Sequence, residues 1–125
     1  MKKFLIYSLL LLSFNLSFAG NTNPNNDKNK SEEVKVSWYG DRFHGRLTAS
    51  GTPFDMNQMT AAHKSLPFGT KVEVTNITNG KSVIVTINDR GPYVGKRIFD
   101  LSKAAFHQIA KKGKGIATVT YRILN

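Results

Sequence analysis

The chain has 125 residues, a formal net charge of +10 and no cysteine. The missing thiol excludes disulfides, cysteine-ligated zinc and a lipid-modified cysteine. The positive charge favours a polyanionic partner.

The opening Met1-Lys2-Lys3 is followed by an apolar run from Phe4 to Leu12 and by Ser17-Phe18-Ala19. A basic start, a short apolar stretch and a small-x-small site form a secretory signal peptide, with cleavage expected near Ala19. The run is short for a membrane span, which needs about 20 apolar residues. The mature protein is therefore expected to be exported, periplasmic or extracellular, with no membrane anchor. Residues 20–33 are rich in Asn, Lys and Glu and hold nothing that could join a core, so they form a disordered leader. The folded unit is expected to span 34–125, enough for one small core and no second domain. Within it, 14 Lys+Arg face 5 Asp+Glu. High basicity often marks nucleic-acid binding, but export argues against that partner. A cell-wall polymer is the expected one, although scattered lysines also serve solubility alone.

Val34–Tyr39 alternates in the manner of a strand. Residues 56–66 are ambiguous between helix and extended chain. Thr70–Asn76 alternates again, and Asn79-Gly80 is a hairpin signal joining it to a strand over 81–88. Arg97-Ile98-Phe99 predicts a further strand. Ser102 is a good N-cap for a helix over 103–112, with basic residues near its end and Gly113 as its stop. The last strand is expected over 116–123. Several short strands and one clear helix make a small, mostly β barrel.

One heptapeptide stands out. Ile87-Asn88-Asp89-Arg90-Gly91-Pro92-Tyr93 ends a strand and turns the chain at Gly91-Pro92. Asp89 thus sits where a strand becomes a loop, a place suited to a rigid group that reaches a ligand. An aspartate there also serves as a simple turn former. Four further strings accompany it: Ser37-Trp38-Tyr39-Gly40, Phe43–Ala49, Thr60–Thr70 and Asp100-Leu101-Ser102. In this order and spacing the set resembles the rare lipoprotein A family of bacterial lytic transglycosylases, over essentially all of 34–125.

The resemblance implies a six-stranded double-psi β-barrel with one or two short helices, similar to expansins. It implies cleavage of peptidoglycan glycan strands at the MurNAc–GlcNAc β-1,4 bond, without water, to leave 1,6-anhydro-muramoyl ends, with a preference for strands lacking stem peptides. Asp89 and His63 match the family's catalytic positions. Tyr39, Thr48, Thr52, Arg90 and Asp100 are the expected substrate-binding residues. Arg90 is equally suited to an ion pair within the fold, and Asp100 to fixing a loop or capping the helix. No metal and no cofactor is expected, since the three histidines lack ligand spacing. A monomer is expected, without nucleic-acid binding. Two features depart from the family: there is no lipid-bearing cysteine or separate wall-binding domain, and Thr52 stands where the family has a glutamate. That substitution favours the alternative of a non-catalytic, expansin-like wall binder. Proton transfer in a lyase with this site would rest on Asp89, because the sugar's own C6 hydroxyl replaces an external nucleophile.

Overall fold

The computed structural model describes residues 32–125; the expected signal peptide, and the expected leader up to Ser31, lie outside the described residues. Among the described residues, six strands, β1 (Val34–Tyr39), β2 (Thr60–His63), β3 (Lys71–Asn76), β4 (Ser82–Asp89), β5 (Arg97–Ser102) and β6 (Ile116–Ile123), are accompanied by one helix, α1 (Lys103–Ile109). They close into a barrel in the order β1-β5-β2-β4-β3-β6. Closure leaves no strand edge open to another chain. Two pairs are parallel, β1 with β5 and β2 with β4, and the other four are antiparallel.

Alternation in sequence becomes inside and outside in space. Val72 and Val74 of β3, Val85 and Ile87 of β4, and Val119 of β6 point inward and are fully buried. Phe99 and Leu101 of β5 join them, and Phe106 and Ile109 of α1 close one side. Each such side chain contributes roughly 1.5–3 kcal/mol of burial free energy. Within residues 56–66 only Thr60–His63 is strand, β2, inserted between β4 and β5, and turns and bends flank it.

Ser102 caps α1 as expected, accepting from the Ala105 N–H at 3.2 Å. The helix ends three residues before Lys112, earlier than expected. Its terminal carbonyl explains this. Ile109 O accepts from Asn76 Nδ2 at 2.7 Å and from Asn79 Nδ2 at 2.9 Å. Two amides of the β3–β4 hairpin thus occupy a carbonyl that a longer helix would have used itself.

Two bulges shape the rim. The β1–β5 register jumps from Lys35↔Arg97 to Val36↔Phe99, so Ile98 is the extra residue. The β2–β4 register jumps from Ala61↔Ile87 to Ala62↔Asp89, so Asn88 is extra. Bulges of this kind re-aim the side chains that follow them. Asp100 follows one and Asp89 the other.

Candidate active site

Asp89 and Asp100 flank one residue. Ala62 of β2 is the register partner of Asp89 on one side and of Asp100 on the other. With strands about 4.8 Å apart, the two acids are about 10 Å apart between Cα atoms. Only a methyl group stands between them, and it leaves a hollow. Ala62, Asp89 and Asp100 line a cavity of about 440 Å³ with Tyr39, Phe43 and Tyr93. Tyr93 is 75% exposed and rims the opening with Leu47.

Asp89 is held rigidly. Its Oδ1 accepts from the N–H of Ala49 and of Arg90, each at 2.9 Å. That leaves Oδ2 as the oxygen free to meet a ligand. The Ala49 donor comes from a short hairpin closed by a Leu47–Pro53 bridge. Within it the Thr48 hydroxyl donates to Thr52 O at 2.7 Å and meets Ser50 Oγ at 2.8 Å. Thr52 Oγ1 lies 3.1 Å from Ser50 Oγ. Thr48 and Thr52, expected to touch substrate, are placed in this supporting hairpin and do not line the cavity. Their hydroxyls are engaged with one another.

Asp100 is neither helix cap nor loop clasp; it belongs to β5. Its Oδ1 accepts from Ser37 Oγ at 2.9 Å, and Ser37 Oγ accepts in turn from Arg97 Nη1 at 2.9 Å. Burial raises its pKa above the usual carboxylate value. The Ser37 hydrogen bond and the Arg97 charge oppose that rise, and the charge of Asp89 adds to it.

Tyr39 lies against Phe54, with ring centroids 4.3 Å apart, and meets Phe43 edge-on at 5.9 Å. Its hydroxyl is buried without a hydrogen-bond partner. Burial, then the charges of Asp89 and Asp100, push its pKa far up, so it stays protonated. An orphaned donor facing two carboxyls is a group awaiting a partner.

His63 is not on the cavity wall. Its Nδ1 accepts from the N–H of Ser65 at 3.1 Å and of Leu66 at 3.0 Å. Its ring packs on Phe99 at 5.0 Å between centroids. Burial, then the Arg90 and Lys64 charges, hold its pKa below the usual value. With Nδ1 an acceptor, the neutral ring carries its proton on Nε2 and can donate but not accept. Arg90 braces the same loop. Its Nη1 donates to Leu66 O at 2.8 Å and to His63 O at 3.3 Å, and the guanidinium lies 3.9 Å over the Phe68 ring. Among the described residues no carboxylate is its partner; it still forms part of the cavity wall.

Sequence reasoning missed Ser37, Arg97 and Phe54. The Ser37–Asp100 pairing depends on the parallel β1–β5 register, which no local pattern announces.

The profile of the family described as lytic transglycolase matches residues 31–121. A probable endolytic peptidoglycan transglycosylase RlpA of Synechocystis sp. is 53% identical over 71% of this chain and 28% of its own length. The endolytic peptidoglycan transglycosylase RlpA of Neisseria meningitidis serogroup B is 57% identical over 67% of this chain and 35% of its own. That of Vibrio cholerae is 46% identical over 86% and 45%. The chain thus spans less than half the length of these relatives. Among solved structures, the Streptomyces papain inhibitor is 27% identical with a TM-score of 0.62, covering 78% of this chain and 96% of that one. An expansin of Clavibacter michiganensis is 20% identical with a TM-score of 0.61, over 76% and 50%, and so shares the fold. By sequence profile, by relatives and by its closed six-stranded double-psi barrel, the chain belongs to the lytic transglycolase family of RlpA-like domains.

Proposed function

We propose that this domain is a lytic transglycosylase that cleaves peptidoglycan glycan strands at the MurNAc–GlcNAc β-1,4 bond. The observation that carries the reading is Asp89, clamped by two backbone N–H groups in the wall of a cavity rimmed with aromatic rings. Relatives named for this activity, at 46–57% identity, support it. Aromatic faces such as those of Phe43 and Tyr93 suit the apolar faces of sugar rings.

The chemistry asks for two proton movements. The glycosidic oxygen gains a proton as its bond to C1 breaks. The C6 hydroxyl of the same muramoyl sugar forms the new bond to C1 and gives up its proton. The nucleophile is already part of the substrate, so its effective concentration is very high. The protein's share is general acid–base catalysis, worth about 10²–10⁴ in rate. Asp89 is the residue we assign to proton transfer at the reacting sugar. His63 holds the neighbouring loop by accepting at Nδ1, which leaves Nε2–H as a donor. After export the domain would act in the periplasm or outside the cell.

Digestion of purified sacculi, followed by mass spectrometry, tests this. The wild type should release fragments with 1,6-anhydro-muramoyl ends, and Asp89→Asn should release none. Absence of product from the wild type, on peptide-free glycan as well, refutes the reading. The second reading, a non-catalytic wall binder, rests on Thr52 in place of a glutamate. It predicts sedimentation with sacculi, no product, and binding that survives Asp89→Ala.

A further inference from the structure

We infer that Asp100 is the proton donor to the leaving glycosidic oxygen, dividing the acid–base work with Asp89 across Ala62. The inference rests on the lyase reading above and adds a second catalytic residue to it.

The geometry begins with the register. Asp89 and Asp100 approach Ala62 from opposite sides, on β4 and β5. Each comes just after a bulge, at Asn88 and at Ile98. Both line the one cavity, and among the described residues that line it they are the only carboxyls. A glycan strand lying over Ala62 therefore meets one acid on each side.

The surroundings of the two acids differ. Asp89 Oδ1 accepts two backbone N–H bonds, which fix it as an acceptor. Asp100 receives a single hydroxyl, Ser37 Oγ, and reaches the Arg97 guanidinium only through it. The groups facing Asp100 are Tyr39 from β1, Arg97 from β5 and Asp89 from the end of β4. Asp41 and Arg42 line a second concavity that Asp100 also borders. Burial outweighs the nearby cation, and the net direction is towards the protonated acid. A carboxyl biased towards its protonated form, across from one fixed as a hydrogen-bond acceptor, is a recognised arrangement for separate acid and base roles.

The step balances without a co-reactant. The Asp100 proton passes to the glycosidic oxygen as the C1–O bond breaks. The C6 oxygen bonds to C1, and its proton passes to the Asp89 carboxylate. Exchange with solvent returns a proton to Asp100 and removes one from Asp89.

Three measurements test this in the whole chain. Asp100→Asn keeps size and the Ser37 acceptor; it should lose about 10²–10⁴ in product release while still sedimenting with sacculi. Ser37→Ala removes a bond that favours the ionised acid, so the alkaline limb of the pH–rate profile should move to higher pH. Asp100→Glu should recover part of the loss. Carboxyl ¹³C NMR of the free protein should show Asp100 titrating above the ordinary Asp range, and higher still in Ser37→Ala. Wild-type turnover in Asp100→Asn, an unmoved alkaline limb, or Asp100 titrating at or below the ordinary range would overturn the assignment. Each of these leaves wild-type product release intact. An inactive wild type instead overturns the lyase reading and this assignment with it.

Discussion

The Ala49 N–H donates to Asp89 Oδ1 at 2.9 Å, across 40 residues of sequence. This bond transmits the shape of the 47–53 hairpin to the acid. The hairpin is held from within by Thr48, which is 6% exposed and bonds the Thr52 carbonyl. Thr48→Val removes that hydroxyl at nearly constant volume. The expected cost is about 1 kcal/mol of stability, read by thermal or urea unfolding. Product release should fall several-fold at a temperature where the variant is fully folded, because the Ala49 donor drifts from Asp89. A variant that loses stability but keeps full turnover would show that the hairpin does not position the acid.

Thr52→Glu asks whether the site still accommodates the acid that the family carries. Thr52 is exposed; its backbone carbonyl receives the shorter Thr48 bond, at 2.7 Å, and its hydroxyl makes longer contacts with Thr48 and Ser50. The substitution should therefore cost less than about 1 kcal/mol, in keeping with surface changes. If the domain is a lyase limited by the missing carboxylate, turnover on sacculi should rise. Unchanged or absent turnover, with sacculus binding retained, would move the balance to the wall-binding reading.

Arg90 braces the 63–68 loop with a planar fork and a stacked ring. Lysine keeps the charge but cannot hold two carbonyls while lying flat on Phe68. Arg90→Lys should lose about 1–2 kcal/mol, since hydrogen bonds from charged donors are among the stronger ones. Limited proteolysis should show faster cleavage near Lys64. An unchanged unfolding midpoint would mean that the fork bears little load and that Arg90 is kept for a ligand.

Most strands were legible because a barrel wall with one wet face enforces alternation. Val72 and Val74 of β3, and Val85 and Ile87 of β4, are buried as the pattern required. The Asn79-Gly80 turn and the Ser102 cap were legible because their chemistry is local. β2 was not: Thr60–His63 is four residues with two alanines, carrying almost no periodic signal. The end of α1 was hidden because Asn76 and Asn79, thirty residues upstream, set it. The same holds at the site. Asp89 was visible from its strand-to-loop position, but the bulges at Asn88 and Ile98 and the shared partner Ala62 depend on register between distant strands. Thr48 was singled out because it lies in a motif string and Thr52 because it stands where the family has a glutamate; the structure places their hydroxyls 3.2 Å apart.

His63 gives the pH dependence of stability. Its pKa is lowered in the folded state, first by burial and then by Arg90 and Lys64. The unfolded chain therefore binds the proton more readily than the folded one. Stability from the neutral ring is fully present above the ordinary histidine value of about 6.5 and is lost as pH falls from there to the folded value. The structural reason is direct: protonation would turn Nδ1 into a donor facing the N–H groups of Ser65 and Leu66. Melting temperatures measured from pH 8 to pH 5 should fall for the wild type over this interval. Glutamine at 63 can still accept from the loop through its carbonyl and does not titrate. The same series on His63→Gln should show a smaller slope. Equal slopes in the two proteins would mean that His63 is not held neutral by the loop, and its assignment as an Nε2–H donor would fail with it.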